Sequence, residues 1–207
     1  MSAFSICKQY ILDDTGRQDM SDVIDRRIQR AVLKYHRIDF WKKDVIEQPY
    51  IWTISQNLQV LDTNLLPRFR AFAYMRKWDN NAFNPSTNAN TGAVSGDIVE
   101  QSSLDRLMDG YGYDKQDIYI RTGTNIQINC SSAITQVLIG WFQDPDVSSP
   151  ENITSWILTN YADLISAEVC ARIFKDIGKD SEAASARDTV ARELLILQTN
   201  NVLTGVH

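Results

Sequence analysis

The first clear pattern in the chain lies over Ser21–Arg37, where Ile24, Ile28, Val32 and Tyr35 recur at helical spacing. Arg26, Arg27, Arg30 and Lys34 fill the opposite face, so this stretch predicts an amphipathic helix. Asp22 and Asp25 open it and Lys34, His36 and Arg37 close it, an order that suits the helix dipole. Beyond the aromatic pair Phe40-Trp41 the period changes from helical to alternating. Gln48–Ser55 and Leu58–Leu61 read as two short strands around Gln56-Asn57, which predicts a hairpin. In Arg68–Arg76 the residues Phe69, Ala71, Ala73 and Met75 alternate with Arg70, Phe72, Tyr74 and Arg76, predicting a strand with one aromatic and basic face.

The pattern then lapses. Residues 79–97 are rich in Asn, Ser, Thr and Gly and predict a long flexible loop. Ser102–Met108 predicts a short serine-capped helix, ended at Asp109-Gly110. Strands follow at Asp117–Arg121, Asn125–Cys130 and Ala133–Trp141, and Asp144-Pro145 closes the β region. Trp156–Ile177 returns to the helical period, with Tyr161, Ile165, Val169, Ile173 and Ile177 at every fourth place, and Gly178 stops it. Asp180 or Ser181 caps a last helix striped by Ala183, Ala186, Val190, Leu194 and Leu197. The expected fold is therefore α+β: a helical bundle from the N- and C-terminal helices with an inserted antiparallel β subdomain. The expected divisions are an N-terminal arm over 1–20, a bundle from 21–47 plus 145–199, and a β insertion over 48–144. A tail over 200–207 completes them.

Composition changes the picture only slightly. The 207 residues are 43% hydrophobic and 23% charged, ordinary for a folded domain, but the net charge of −5 argues against a free-standing nucleic-acid binder. Cys7, Cys130 and Cys170 are too widely spaced for a disulfide framework or a zinc site. His36 and His207 are the only histidines, which argues against a histidine-based triad or a multi-histidine metal centre. His36 reads most simply as a dipole partner or a surface contact at the end of its helix. No dinucleotide turn, phosphate loop or calcium loop is present, so no catalytic residue, metal or cofactor is expected. No apolar run is long enough to span a membrane, and no secretory leader is visible, so synthesis in the cytosol is expected.

What remains is a binding surface. Arg26, Arg27, Arg30, Lys34, Arg37, Lys42 and Lys43 form a basic set open to three readings: a solvated face, a site for DNA phosphates, or a contact for an acidic protein. A second set, Arg68, Arg70, Arg76 and Lys77 with Phe72, Tyr74 and Trp78, suits stacking on nucleic acid or a strand-mediated protein contact.

Four blocks give these sets a context. They are Ile24–Trp41 with Asp44; Leu61-Asp62-Thr63 with Leu66–Arg70; Asp109–Gly112; and an ending made of Ile139–Phe142, Pro150, Ser155-Trp156, Ala171–Gly178 and Asn200–Gly205. In their order and spacing the chain resembles the head-to-tail connector, or adaptor, proteins of short-tailed phages. The resemblance implies a non-enzymatic virion protein of the neck between capsid and tail. It implies a ring of twelve copies docked on the portal protein, extending the DNA channel and offering a platform for the tail nozzle protein. Genomic DNA would pass through the lumen without sequence-specific binding, and no membrane is involved. The interface residues expected on this reading are Arg26, Arg27, Arg30, Lys34, His36, Arg37, Phe40, Trp41, Arg68 and Arg70. The C-terminal residues Asn200, Asn201, Val202, Leu203 and His207 join them, because that segment commonly reaches the portal in the family. The alternative is a helical-bundle protein that binds nucleic acid through the Arg26–Lys43 surface.

Overall fold

The computed structural model describes residues 2–78, 83–84, 89–90, 94–100 and 117–203. The fold is α+β, and the chain divides into two compact units: Met1–Asp44 with Asp144–His207, and Val45–Gln143. The expected helix at Ser102–Met108, the Asp109–Gly112 block and most of the loop expected over 79–97 lie outside the described residues.

The first unit is helical. Helix α1 (Ala3–Thr15) starts from Ser2, whose hydroxyl accepts the Ser5 amide, and stops at Gly16, which takes the left-handed φ of 65°. Phe4, Cys7, Ile11 and Leu12 are buried on one side of it. The arm expected over residues 1–20 is thus a core helix. Its buried apolar residues are spaced by three, four and one, too few to mark a helical stripe in the sequence. Helix α2 (Ser21–Arg37) buries the predicted stripe of Ile24, Ile28, Val32 and Tyr35, with Ala31 beside it.

The helix expected over Trp156–Ile177 is broken in two: α3 (Trp156–Asn160) and α4 (Ala162–Asp176). Tyr161 sits between them with φ −135° and ψ 46°, outside the helical region. Its ring stands edge-on to Trp156 and its hydroxyl accepts a hydrogen bond from Asn200, so tertiary contacts fix the break. Ile165, Val169 and Ile173 of α4 are fully buried, as the stripe predicts. Helix α5 (Asp180–Leu203) buries Ala183 and Leu197, with Ala186, Val190 and Leu194 packed against the same core. It continues through Asn200–Leu203, where a tail was expected.

The second unit is built on β8 (Asn125–Gln143), a single 19-residue strand where two were expected. Ser131 and Ser132 do not turn the chain; the paired stretches on either side of them belong to one continuous strand. One edge pairs with β1 (Val45–Asp62), from Val45↔Phe142 to Asp62↔Asn125. The other pairs with β2 (Phe69–Trp78) and then with β7 (Ile118–Thr122). Two further strands extend this edge, β5 (Val94–Asp97) beside β2 and β6 (Val99–Glu100) beside β7. The β6–β7 pair is parallel, while the other pairs among the described strands of this sheet are antiparallel. A separate two-residue ladder joins β3 (Phe83–Asn84) to β4 (Ala89–Asn90).

Two expectations fail in this sheet. The hairpin at Gln56-Asn57 does not form; β1 runs straight through and absorbs the polar residues as irregularities between Ile51 and Leu58. No glycine is present to adopt the positive φ that a tight hairpin turn favours. In β2, register shifts at Phe69/Ala71 and Phe72/Tyr74 interrupt the alternation. Phe72 and Met75 are consequently both buried, although strict period-two counting puts them on opposite faces. Phe72 packs on Tyr119 with ring centroids 4.9 Å apart. Tyr74 lies over Gly140 instead, so close that a Cβ there would fall 2.5 Å from the ring, and its hydroxyl donates to Glu47 at 2.7 Å.

Candidate functional site

Three of the five cations on α2 are met by carboxylates of the same unit. Arg27 pairs with Asp176, Lys34 with Glu168 at 3.0 Å, and Arg37 with Asp144. Glu168 is buried and also takes the Tyr35 hydroxyl at 3.0 Å and the Arg172 guanidinium at 2.7 Å. Burial works to raise its pKa, but hydrogen bonds from Lys34, Arg172 and Tyr35 prevail and hold it below the ordinary carboxylate value. Burial and then Glu168 push the Tyr35 phenol upward. Arg26 and Arg30 differ: both are exposed, and neither pairs with a carboxylate among the described residues. The Arg26 guanidinium reaches only the Asp22 carbonyl, at 3.3 Å.

The largest departure from expectation is His36. It is 2% exposed, not a surface residue. Its Nδ1 lies 2.8 Å from Asp44 Oδ1 and its Nε2 2.9 Å from Ser155 Oγ. A Ser-His-Asp constellation therefore exists in a chain whose scarcity of histidine argued against one; a single histidine is enough when the fold supplies its partners from residues 8 and 119 positions away. No spacing rule links those three positions in sequence, so the signal was invisible there.

Its surroundings are those of a structural clasp. With Asp44 as the acceptor, Nδ1–H donates to it, and in that tautomer Nε2 accepts the Ser155 hydroxyl proton. Ser155 Oγ also caps α3 by accepting the Leu158 amide at 3.0 Å. Asp44 takes the Trp156 indole N–H at 2.8 Å. Asp44 and Ser155 are 5% and 7% exposed, which leaves a substrate no approach to the hydroxyl. The clasp ties the end of α2 and the residue preceding β1 to the start of α3. Trp41, expected as an interface residue, is fully buried beside it, with its indole donating to the Tyr35 carbonyl and its ring edge-on to Trp156. Lys43 covers the Trp156 ring at 5.0 Å.

The other expected residues are scattered. Phe40 is 60% exposed, as an interface residue needs to be. In the second unit Arg68 adopts the left-handed φ of 50° and donates to Gln143 at 3.1 Å, while Arg70 lies over Phe142. Arg76 pairs with Asp97 and Lys77 with Asp117, so that much of the second basic set is also met internally. Burial would raise the Asp117 pKa, yet hydrogen bonds from Lys77 and Ser131 hold it low. Asn200 donates to Tyr161 and Asn201 is half-buried in the last turns of α5, which also contain Val202 and Leu203; His207 lies outside the described residues. Cys7, Cys130 and Cys170 are all buried, and burial pushes each thiol up to about 12. Among the described residues no cluster of His, Cys, Asp or Glu is arranged to hold a metal ion, and no helix is long and apolar enough to cross a membrane.

No protein-family model matches the chain, and no curated protein sequence matches it.

Proposed function

We propose that the chain is a structural virion protein: a head-to-tail adaptor that assembles as a ring, docks on a portal protein, extends the DNA channel and carries the tail nozzle. One observation carries the reading. The first and last blocks of the resemblance, more than a hundred residues apart, pack into one unit through His36–Ser155, Asp44–Trp156 and Arg27–Asp176. Residues that looked like separate motifs work as one joint, which favours a common structural task over independent sites.

The charge arrangement supports a protein-contacting role above the nucleic-acid alternative. Phosphate binding needs cations free to replace counterions. Arg27, Lys34, Arg37, Arg76 and Lys77 are instead held by carboxylates. Within a ring, a net charge of −5 per copy would repel DNA from the lumen wall and let it slide.

The test is the mass of the purified protein alone and after mixing with the portal ring of the same virus. Addition in a fixed multiple, twelve copies on this proposal, is the expected result. Absence of any association removes the adaptor reading. Tight DNA binding that falls steeply with salt would replace it by the nucleic-acid reading.

A further inference from the structure

Among the charges of the helical unit that stand outside its internal ion pairs, two sets of opposite sign are each gathered on one surface. The first is the exposed pair Arg26 and Arg30, one turn apart on α2, with half-buried Leu33 on the next turn of the same ridge. The second is a groove of about 450 Å³ where α1, α4 and α5 meet. Asp14, Asp163 and Glu182 rim it, and Ala167, Phe174 and Ala186 line its floor. None of the three carboxylates forms an ion pair with a cation among the described residues, although Glu182 accepts the Ser181 hydroxyl and the unit pairs Lys8 with Asp25, Arg17 with Asp19 and Arg27 with Asp176.

The groove lies on the side of α4 turned away from α2, the helix that carries the ridge. On α4, Glu168, Arg172 and Asp176 stand on one side, and two of them pair with α2. Asp163, Ala167, Cys170 and Phe174 line the groove. At about 100° per residue these sets are centred roughly 180° apart around α4. The ridge therefore cannot fold back into the groove of its own chain.

We propose that the Arg26/Arg30 ridge of one copy seats in the Asp14/Asp163/Glu182 groove of the next. The occupant is a second copy of this chain because the same unit carries both halves of the match: guanidinium forks against carboxylates at the rim, Leu33 against a floor of small and aromatic side chains. Such a contact is heterologous. It leaves a free ridge at one end and a free groove at the other, so it propagates and closes into a ring when the rotation per copy permits. This deepens the adaptor reading by naming the surface through which copies join, and its ring rests on that reading.

The experiment is a charge swap followed by sedimentation over a range of protein and salt concentrations. The wild-type chain is expected to self-associate in a concentration-dependent way that weakens with salt. The variant Arg26→Glu/Arg30→Glu and the variant Asp163→Lys/Glu182→Lys each lose at least tenfold in self-association. All four positions are exposed, and circular dichroism verifies that the helices are kept. Mixing the two variants restores assembly, because the reversed ridge of one fits the reversed groove of the other. The proposal is overturned if the wild type stays monomeric throughout, if either reversal leaves self-association unchanged, or if the mixture fails to recover. A chain that stays monomeric yet adds to the portal ring would sink this interface and leave the adaptor reading standing. A groove variant that loses only the capture of a basic segment from another protein would also overturn it.

Discussion

Replacing His36 by alanine tests whether the buried clasp holds the helical unit together. The imidazole makes two hydrogen bonds, at 2.8 and 2.9 Å, from a site 2% exposed. Each such bond contributes about 0.5–1.5 kcal/mol net, and stranding a buried partner costs about 1–3 kcal/mol. The expected loss is therefore about 2–4 kcal/mol, or roughly 5–15 °C in melting temperature for a chain of this size. Ser155→Ala removes one of these bonds and also the cap of α3, a further ~1 kcal/mol. A double-mutant cycle between His36→Ala and Ser155→Ala separates the two, with a coupling of about 0.5–1.5 kcal/mol expected. Denaturant unfolding followed by far-ultraviolet circular dichroism reads all four proteins. A His36→Ala loss below about 1 kcal/mol together with zero coupling would refute the clasp.

Four further outcomes follow from the same geometry. Native protein should not react with a fluorophosphonate probe, since Ser155 is buried and its oxygen is occupied by Leu158 N–H; labelling at Ser155, detected by mass spectrometry, would convert the clasp into an active site. Glu168 has a lowered folded pKa, so its contribution is complete above the ordinary carboxylate pKa and is lost as pH falls through the folded value. Glu168→Gln should therefore destabilise at neutral pH and flatten the acid limb of a stability–pH curve; an unchanged limb would argue that Lys34 and Arg172 do not matter to it. Gly140→Ala should cost about 1–3 kcal/mol through collision with the Tyr74 ring, and Tyr74→Ala in the same chain should recover part of the loss, both read by thermal melting. The three thiols should resist Ellman's reagent until the protein unfolds, because burial keeps them protonated; rapid reaction of the native protein would contradict their placement.

The helical periods were the legible part of this sequence. The stripe of α2 and that of α5 are where the spacing of Ile, Val, Leu and Ala puts them, since a packed helix must bury one face at a fixed interval. The β character of the middle region is legible but its connections are not, because β1 and β8 pair on both sides of the polar residues near Gln56 and local turn signals lose to that pairing. The break at Tyr161 was hidden for a similar reason, as its cause lies in Trp156 and Asn200. The basic residues of α2 were found, but their roles were not: sequence marks the charge of Arg27 and Lys34 and says nothing of Asp176 and Glu168 opposite them. The burial of His36 is not legible in the sequence, because its place beside Asp44 and Ser155 is a property of three distant positions together.

The pairing of Val45 with Phe142 has an evolutionary consequence. Strand residues so paired have Cα atoms roughly 5 Å apart, so the inserted segment leaves the chain and rejoins it at almost one point. Closing that gap needs only a short turn, and loop-closure entropy scarcely distinguishes one insert length from another. The sheet is in effect a cassette. A chain in which residues 45–143 are replaced by a few glycines and serines should keep the helical core, and a lineage can exchange this module for another without reinventing the helices that carry it.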